Sequence, residues 1–420
     1  MIGVQQIKIV FVLLIGSLLL ITGCGSKSEG YSFTKGDVEF NEDDYQKIIP
    51  ANNELAFQLV TRVEADDEQN LFISPTSVLM ALSMVYNGAD GTTKEEMAKA
   101  LQLAGIEADT LNQANASLGT KLYKDTNEII LYMANSIWIN ELYQFQKEFK
   151  QATEDYYNAK VQEIDIYERK SSNLINDWVK EATNGMIDEI VPEQLDEDLL
   201  ALIINAIYFK GKWMYAFDQD QTQDSTFYLD DGTTTEASFM HLQEDLLYMD
   251  NDHLQAVQLP YGNGEMSMQI FLPHEHLPIA QFAEMLTSDN WSLWQDSFYE
   301  KEGTVILPKF KLSYETSLNQ ALKELGMQEA FAPTSANFSK MITDDADIYI
   351  SDVKQKTFIE VSEEGTEASA VTSVEMKVAS LPVDGPFNME VNRPFMFTIV
   401  DNETKAILFI GIMQQPVFNE

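Results

Sequence analysis

The chain has 420 residues, of which 45% are hydrophobic and 11% aromatic, and this is ample for a substantial folded core. Its formal net charge is −40, from 67 acidic and 27 basic residues, so no large basic patch can form and a nucleic-acid partner is strongly disfavoured. We interpret the acidity as favouring solubility or a salty habitat rather than as a binding surface.

The first 24 residues form a separate segment. Lys8 is its only charge, a run of 13 apolar or small residues extends from Ile9 to Ile21, and the segment closes on ITGC. The run is short for a membrane span but suits the hydrophobic region of an export signal. The ending resembles a bacterial lipobox, which predicts a signal peptide over residues 1–23 and an acylated Cys24. A plain secretory signal or an uncleaved anchor is the alternative.

Cys24 is the only cysteine, so no intramolecular disulfide can form. Residues 24–49 are polar and contain glycine and serine, and they predict a flexible tether between the lipid and a folded domain over residues 50–420. The lipid would hold the protein in the cell envelope, on a membrane and facing outward.

Helical signals come first in the folded domain. NELAFQLVTRV, from Asn53, has apolar residues at helical spacing. Ser74-Pro75 is typical of an N-cap followed by proline in the first turn, and it opens a predicted helix that stops at Asn87-Gly88. Thr93, with Glu96 three residues later, predicts a capping box for the next helix.

Strand signals then take over. Runs rich in β-branched and aromatic residues predict strands at EIILYMANSIWI, LLALIINAIYF, LQAVQLPY, MSMQIFLP and GTVILPKFKL. Asp231-Gly232 predicts a hairpin turn, and PFMFTIV with KAILFIGIM predicts a C-terminal hairpin buried on both faces. No repeat or low-complexity linker divides the chain after about residue 50. One large α+β domain is expected.

The sequence lacks the residues of an enzyme site. It has four histidines, His241, His253, His274 and His276, and no GxSxG elbow. The pair in PHEHLP matches no metal-binding spacing, and a lipidated Cys24 could not act as a nucleophile. Three aspartates faintly resemble a calcium loop without its glycine and closing glutamate: Asp218, Asp220 and Asp224. We expect no catalytic residue, metal or cofactor, so an envelope hydrolase or solute-binding lipoprotein is disfavoured.

The stretch from Glu360 to Pro382, EVSEEGTEASAVTSVEMKVASLP, combines a glutamate-rich start with the period-two alternation of a half-buried strand. One set is small at first and apolar later: Thr366, Ala368, Ala370, Thr372, Val374, Met376 and Val378. The other set is polar apart from Val371: Glu367, Ser369, Val371, Ser373, Glu375 and Lys377. The stretch therefore has features of both an exposed loop and a buried strand.

Six ordered motifs between about Asn53 and Pro416 resemble the serpin family. They are NLFISPTSVLMALSMVYNGADGTTKEEM, INDWVKEATNGMIDEIV, NAIYFKGKWMYAFD, LPYGNGEMSMQIFLP, FIEVSEEGTEASAVT and NRPFMFTIV. The resemblance implies three β-sheets, eight or nine helices and an exposed reactive-centre loop over about residues 363–385. It also implies that a serine protease cuts this loop, which then inserts into the largest sheet as an additional strand.

The resemblance places the hinge of this loop at residues 363–372. The hinge comprises Glu363, Glu364, Gly365, Thr366, Glu367, Ala368, Ser369, Ala370, Val371 and Thr372. Glycine tolerates the torsions of a moving backbone, and small inward-facing residues can pass between existing strands. Non-inhibitory serpins tend to carry bulky, charged or proline residues here, so we expect an inhibitor. A non-inhibitory serpin that serves as a cell-surface binding protein is the alternative.

The family's usual spacing from the hinge places the scissile bond at Ala379-Ser380, with Val378-Ala379 and Ser380-Leu381 as alternatives. Each bond has a small or β-branched residue on the acyl side, which fits the shallow pockets of elastase-like or subtilisin-like proteases. The acyl-enzyme would be trapped if insertion outruns hydrolysis.

The resemblance also implies a set of residues where the sheet opens: Ser74, Ser77, Asn205, Trp213 and Gln355. Gln355 stands where the family commonly has histidine, and Met186 where it commonly has lysine. The amide of Gln355 can still donate and accept hydrogen bonds, but we do not expect histidine-linked pH control at this position. We expect a monomer whose partners are a serine protease and, through the lipid, a membrane.

Overall fold

A computed structural model of the chain describes residues 33–35, 38–343, 348–366 and 385–418. Its helices are α1 (Ile49–Val60), α2 (Pro75–Gly88), α3 (Gly91–Ala100), α4 (Ala108–Leu122), α5 (Lys147–Tyr157), α6 (Arg169–Ala182), α7 (Ile279–Ala283), α8 (Ser288–Ser297) and α9 (Asn319–Glu324). The first eight strands are β1 (Leu71–Ile73), β2 (Lys124–Asp125), β3 (Ile129–Asn140), β4 (Lys160–Ile164), β5 (Ala201–Lys212), β6 (Asp218–Tyr228), β7 (Thr234–Asp250) and β8 (Leu254–Tyr261). The others are β9 (Met266–Pro273), β10 (Tyr299–Pro308), β11 (Phe310–Ser317), β12 (Asp352–Ser362), β13 (Gly365–Thr366), β14 (Phe387–Glu390), β15 (Phe395–Asp401) and β16 (Ile407–Met413).

The strands form two hydrogen-bonded sheets, and the α+β prediction is confirmed. One sheet has the order β1-β16-β15-β9-β8-β7-β10-β14, with β6 paired to β7, and the other has the order β11-β12-β13-β5-β3-β2, with β4 paired to β3. We expected three sheets from the resemblance. Two of them are joined because β7 is 17 residues long and pairs with β6 and β10 over one part and with β8 at its end.

Helix α2 lies in the core between the two sheets. It contacts β3 and β5 of the seven-stranded sheet and β16 of the other sheet. Every residue of α2 except Asn87 is buried, as expected for a helix that is apolar all round. Its predicted N-cap is confirmed, since Ser74 Oγ accepts a hydrogen bond from the Ser77 N–H at 3.3 Å and Pro75 occupies the first turn.

Other local predictions had mixed outcomes. The turn at Asp231-Gly232 is confirmed, with Gly232 at φ +83° between paired strands β6 and β7. Strands β15 and β16 are buried at every residue, as predicted. The capping box at Thr93 is wrong, because α3 begins at Gly91, and the Thr93 hydroxyl instead accepts a hydrogen bond from the Asn337 N–H at 2.9 Å.

The described residues from Phe33 onward, which the prediction assigned to a flexible tether over residues 24–49, belong to the compact unit, which begins at Phe33. The Phe33 side chain is 4% exposed and packs on α4, where a Cβ added at Gly119 would lie 2.2 Å from the Phe33 ring. The Lys35 N–H donates to a carbonyl of α5 at 3.0 Å, and the Tyr45 N–H donates to the Ser117 hydroxyl at 3.1 Å. The part of the predicted tether from Phe33 onward that the structure describes thus packs on the body.

Candidate functional site

The hinge begins inside the seven-stranded sheet. Gly365 and Thr366 form β13, which is antiparallel to both of its neighbours, β12 and β5. Thr366 lies opposite Val361 of β12 and Gly211 of β5. The start of the loop is therefore already a short strand in the middle of this sheet.

Below β13, the two neighbouring strands close on each other. Residues 352–356 of β12 pair in parallel with residues 202–206 of β5. Within the described chain, no ladder pair joins residues 357–360 to residues 207–210, which lie between this closed part and β13. The sheet is closed at one end, parted in the middle and filled by the hinge at the other end.

Gly365 is required by the close approach of its backbone to β5. Its φ is +148°, in the region that favours glycine, and an added Cβ would lie 2.1 Å from the Gly211 carbonyl oxygen. The same Cβ would lie 2.7 Å from Lys212 Cα. Because these are backbone atoms that cannot move aside cheaply, any other residue would push β13 out of the sheet.

Thr366 is fully buried and its hydroxyl lies 2.7 Å from the hydroxyl of Tyr261, the last residue of β8. Trp213 stacks on the Tyr261 ring with centroids 4.4 Å apart, and its indole N–H donates to the Ser362 carbonyl at 2.9 Å. Burial raises the pKa of Tyr261, so its hydroxyl stays protonated. Trp213 thus lies beside β13, the described start of the loop.

Glu363, the first residue of the hinge, is held by an ion pair and by hydrogen bonds. Its carboxylate is 3.1 Å from the Lys309 ammonium and accepts a hydrogen bond from the Thr222 hydroxyl at 2.8 Å. Burial by itself would raise the pKa of Glu363, but hydrogen bonds from its own backbone and Thr222, with the Lys309 ion pair, hold the pKa below its ordinary value. The Phe217 N–H also donates to the Glu363 carbonyl at 2.8 Å.

Beneath the closed part of the sheet, Gln355 of β12 joins the N-terminus of α2 to β5. Its amide oxygen accepts from the Ser74 N–H at 2.9 Å, and its amide nitrogen donates to Asn205 Oδ1 at 2.5 Å. The Asn205 amide donates to the Ser77 hydroxyl and, at 2.6 Å, to Asn135 Oδ1 of β3. These five side chains are at most 1% exposed, so separating β12 from β5 breaks a buried polar network.

Among the residues of this site that sequence reasoning missed are Asn135, Tyr261 and Lys309. Tyr261 is 105 residues away from Thr366 along the chain, and Lys309 is 54 away from Glu363, so no local pattern connects them. The only signal was weak: each lies within a predicted strand run, where a polar group among apolar neighbours suggests a buried partner.

Several predicted residues lie outside the described part of the chain. These are Cys24, the hinge residues 367–372 and the candidate scissile residues 378–381. Met186 is described and is 38% exposed. Asp218, Asp220 and Asp224 are exposed on β6. In the described residues, no group of three or more acidic, histidine or cysteine side chains could hold a metal ion, and no helix is long and apolar enough to span a membrane.

The chain is similar to known proteins over nearly its whole length. Residues 50–416 match the family model described as Serpin (serine protease inhibitor). Human Serpin B8 is 33% identical over 88% of this chain and 99% of its own, and an uncharacterized serpin-like protein of Methanosarcina acetivorans is 31% identical over 99% and 100%. The crystal structure of the thermophilic serpin tengpin in its native state superposes with a TM-score of 0.82, at 32% identity over 91% of this chain and 97% of that one.

Proposed function

Because the chain belongs to the serpin family, whose members are mostly protease inhibitors, we propose that it inhibits serine proteases as a suicide substrate. The observation that carries the proposal is the position of β13. A two-residue strand already lies between β12 and β5, antiparallel to both, with parted strand segments directly ahead of it. A loop cut beyond the hinge can extend this strand without forming a new nucleus.

The chemistry begins at the proposed scissile bond. The serine hydroxyl of the protease attacks the Ala379 carbonyl carbon, the bond to the Ser380 nitrogen breaks, and an ester joins the protease to Ala379. The new amino terminus at Ser380 takes up the proton and departs. Trapping requires the loop to insert before water hydrolyses the ester.

Insertion exchanges one set of contacts for another. A strand of about 15 residues spans roughly 50 Å, and its backbone groups would find partners on both β12 and β5. Against this gain, the bond between Gln355 and Asn205 must break, because the new strand passes between them. The alternation of the loop sequence meets this demand, since the set that begins at the buried Thr366 is small or apolar throughout.

The proposed targets are elastase-like or subtilisin-like proteases. A shallow, apolar specificity pocket accepts alanine, valine or serine, whereas a trypsin-like pocket needs a basic residue on the acyl side of the bond. Lys377 lies too early in the loop to serve as that residue.

The proposed location is the outer side of a bacterial membrane, through a lipid on Cys24. This rests on the ITGC ending after an apolar run and on the absence of any second cysteine in the sequence. Growth with a labelled fatty acid should label the wild-type chain and leave Cys24→Ser unlabelled. A labelled Cys24→Ser variant would contradict lipidation at this residue.

The deciding experiment mixes the full-length chain in mild detergent with an elastase and then resolves the products on a denaturing gel. We expect a complex that survives denaturant. We also expect a released C-terminal peptide whose mass matches a chain that begins at Ser380. Cleavage of the loop without a complex, for elastase, subtilisin and trypsin alike, would contradict inhibition and favour a non-inhibitory binding role.

A further inference from the structure

We propose that Tyr261 is the positioning residue that holds the hinge in the sheet and fixes the register from which insertion proceeds. The inference rests on the proposed function, because only an inserting loop needs a defined starting register. It concerns the uncleaved protein, however, and can be tested without any protease.

The hydroxyls of Tyr261 and Thr366 form a buried pair. Tyr261 and Thr366 are both fully buried, and their hydroxyl oxygens are 2.7 Å apart. Neither hydroxyl has another hydrogen-bond partner among the described residues. If β13 left the sheet, the Tyr261 hydroxyl would remain buried without a partner, which carries the full cost of desolvation. The tyrosine therefore favours the state in which Thr366 lies in the sheet.

The ring of Tyr261 is held in one position by its neighbours. Its ring lies between the stacked Trp213 and the edge of Phe209, whose centroid is 5.1 Å away. On its third side is Gly211, where an added Cβ would lie 2.7 Å from the ring. The ring cannot turn to find another partner, so its hydroxyl marks one fixed point in the sheet.

Register follows from this fixed point. With Thr366 opposite Val361 and Gly211, its hydroxyl meets Tyr261. A slip of one residue would present either Gly365, which has no hydroxyl, or residue 367, a glutamate whose charge would be buried. Only one register satisfies the tyrosine, and in that register the small or apolar set of the loop faces the core.

The test is hydrogen–deuterium exchange of the uncleaved full-length chain, followed on a peptide that contains Gly365 and Thr366. Tyr261→Phe and Thr366→Val should each speed exchange of this peptide about five- to tenfold, the factor that one net hydrogen bond provides. Because both variants remove the same bond, the double variant should exchange no faster than either one. Thr366→Ser keeps the hydroxyl, so its hinge peptide should exchange at the wild-type rate.

Tyr157→Phe is the matched control. Tyr157 is also buried, at 1% exposure, and its hydroxyl donates to Asn112 at 2.7 Å, but it lies on α5, away from the hinge. The Tyr157→Phe variant should have a lower thermal midpoint than the wild type, but the same rate of exchange at Gly365 and Thr366. Hinge exchange in Tyr261→Phe no faster than in the wild type, or an additive effect in the double variant, would overturn the proposal. A failure to form a covalent protease complex would instead count against the proposed function alone.

Discussion

Thr366→Arg provides the sharpest perturbation of the proposed mechanism. Thr366 is fully buried, and the residues that line its position, Tyr261, Val361 and Gly211, offer no carboxylate to a guanidinium. An unpaired buried charge costs about 3 to 5 kcal/mol. Leaving the sheet costs the native protein less, about 1 to 3 kcal/mol for a buried Tyr261 hydroxyl left without Thr366, since β13 has only two described residues.

The variant should therefore fold with its hinge outside the sheet and with a thermal midpoint lowered by only a few degrees. The protease should still cut the loop, because the scissile bond lies 13 residues further along. Insertion, however, must bury the arginine. A barrier raised by about 3 to 5 kcal/mol slows this step at least 100-fold, so hydrolysis of the ester wins.

The assay counts the molecules of inhibitor cleaved for each protease molecule trapped, by gel densitometry and by titration of residual protease activity. The wild type should trap protease at a low ratio, whereas Thr366→Arg should be cleaved at a similar rate and trap almost none. Thr234→Arg, at an exposed position of β7, adds the same charge and should behave as the wild type. Unchanged trapping by Thr366→Arg would refute insertion through this hinge.

Four further outcomes follow from the same geometry. Gln355→Ala leaves the Ser74 N–H and Asn205 Oδ1 without their partners and should lower the free energy of unfolding by about 2 to 4 kcal/mol in denaturant titrations, and a smaller loss would show that water replaces the amide. The lowered pKa of Glu363 means that its contribution is complete above the unfolded value of about 4.3 and is lost as pH falls through the lower folded value. Wild-type stability should thus decline more steeply in this acidic range than that of Glu363→Gln, and parallel curves would contradict the ion pair. Ala379→Arg should move trapping from elastase to trypsin, and continued trapping of elastase would place the scissile bond elsewhere. Phe33→Ala should lower the free energy of unfolding by about 3 kcal/mol, whereas no change would support a tether that extends past residue 33.

Much of the fold could be predicted from local sequence patterns. Ser74-Pro75 has the cap and the fixed torsion that begin α2, and the apolar runs of β15 and β16 can only be stable when both faces are covered. The capping box failed at Thr93 because the same side chain has a competing partner at Asn337, 244 residues away. A sequence pattern cannot weigh such a partner.

The sequence by itself determined that the chain is folded and acidic, that it is α+β, and that one stretch has the features of both an exposed loop and a buried strand. These properties depend on composition and on periods of two and 3.6 residues, which are local. Only the tertiary structure decided that β13 already lies between β12 and β5, that Tyr261 faces Thr366, and that Phe33 packs on α4. The pairing of β13 with β5 and the contacts of Tyr261 and Phe33 join residues far apart in the chain, so they exist only once the sheets and helices have packed and fixed the distances between them.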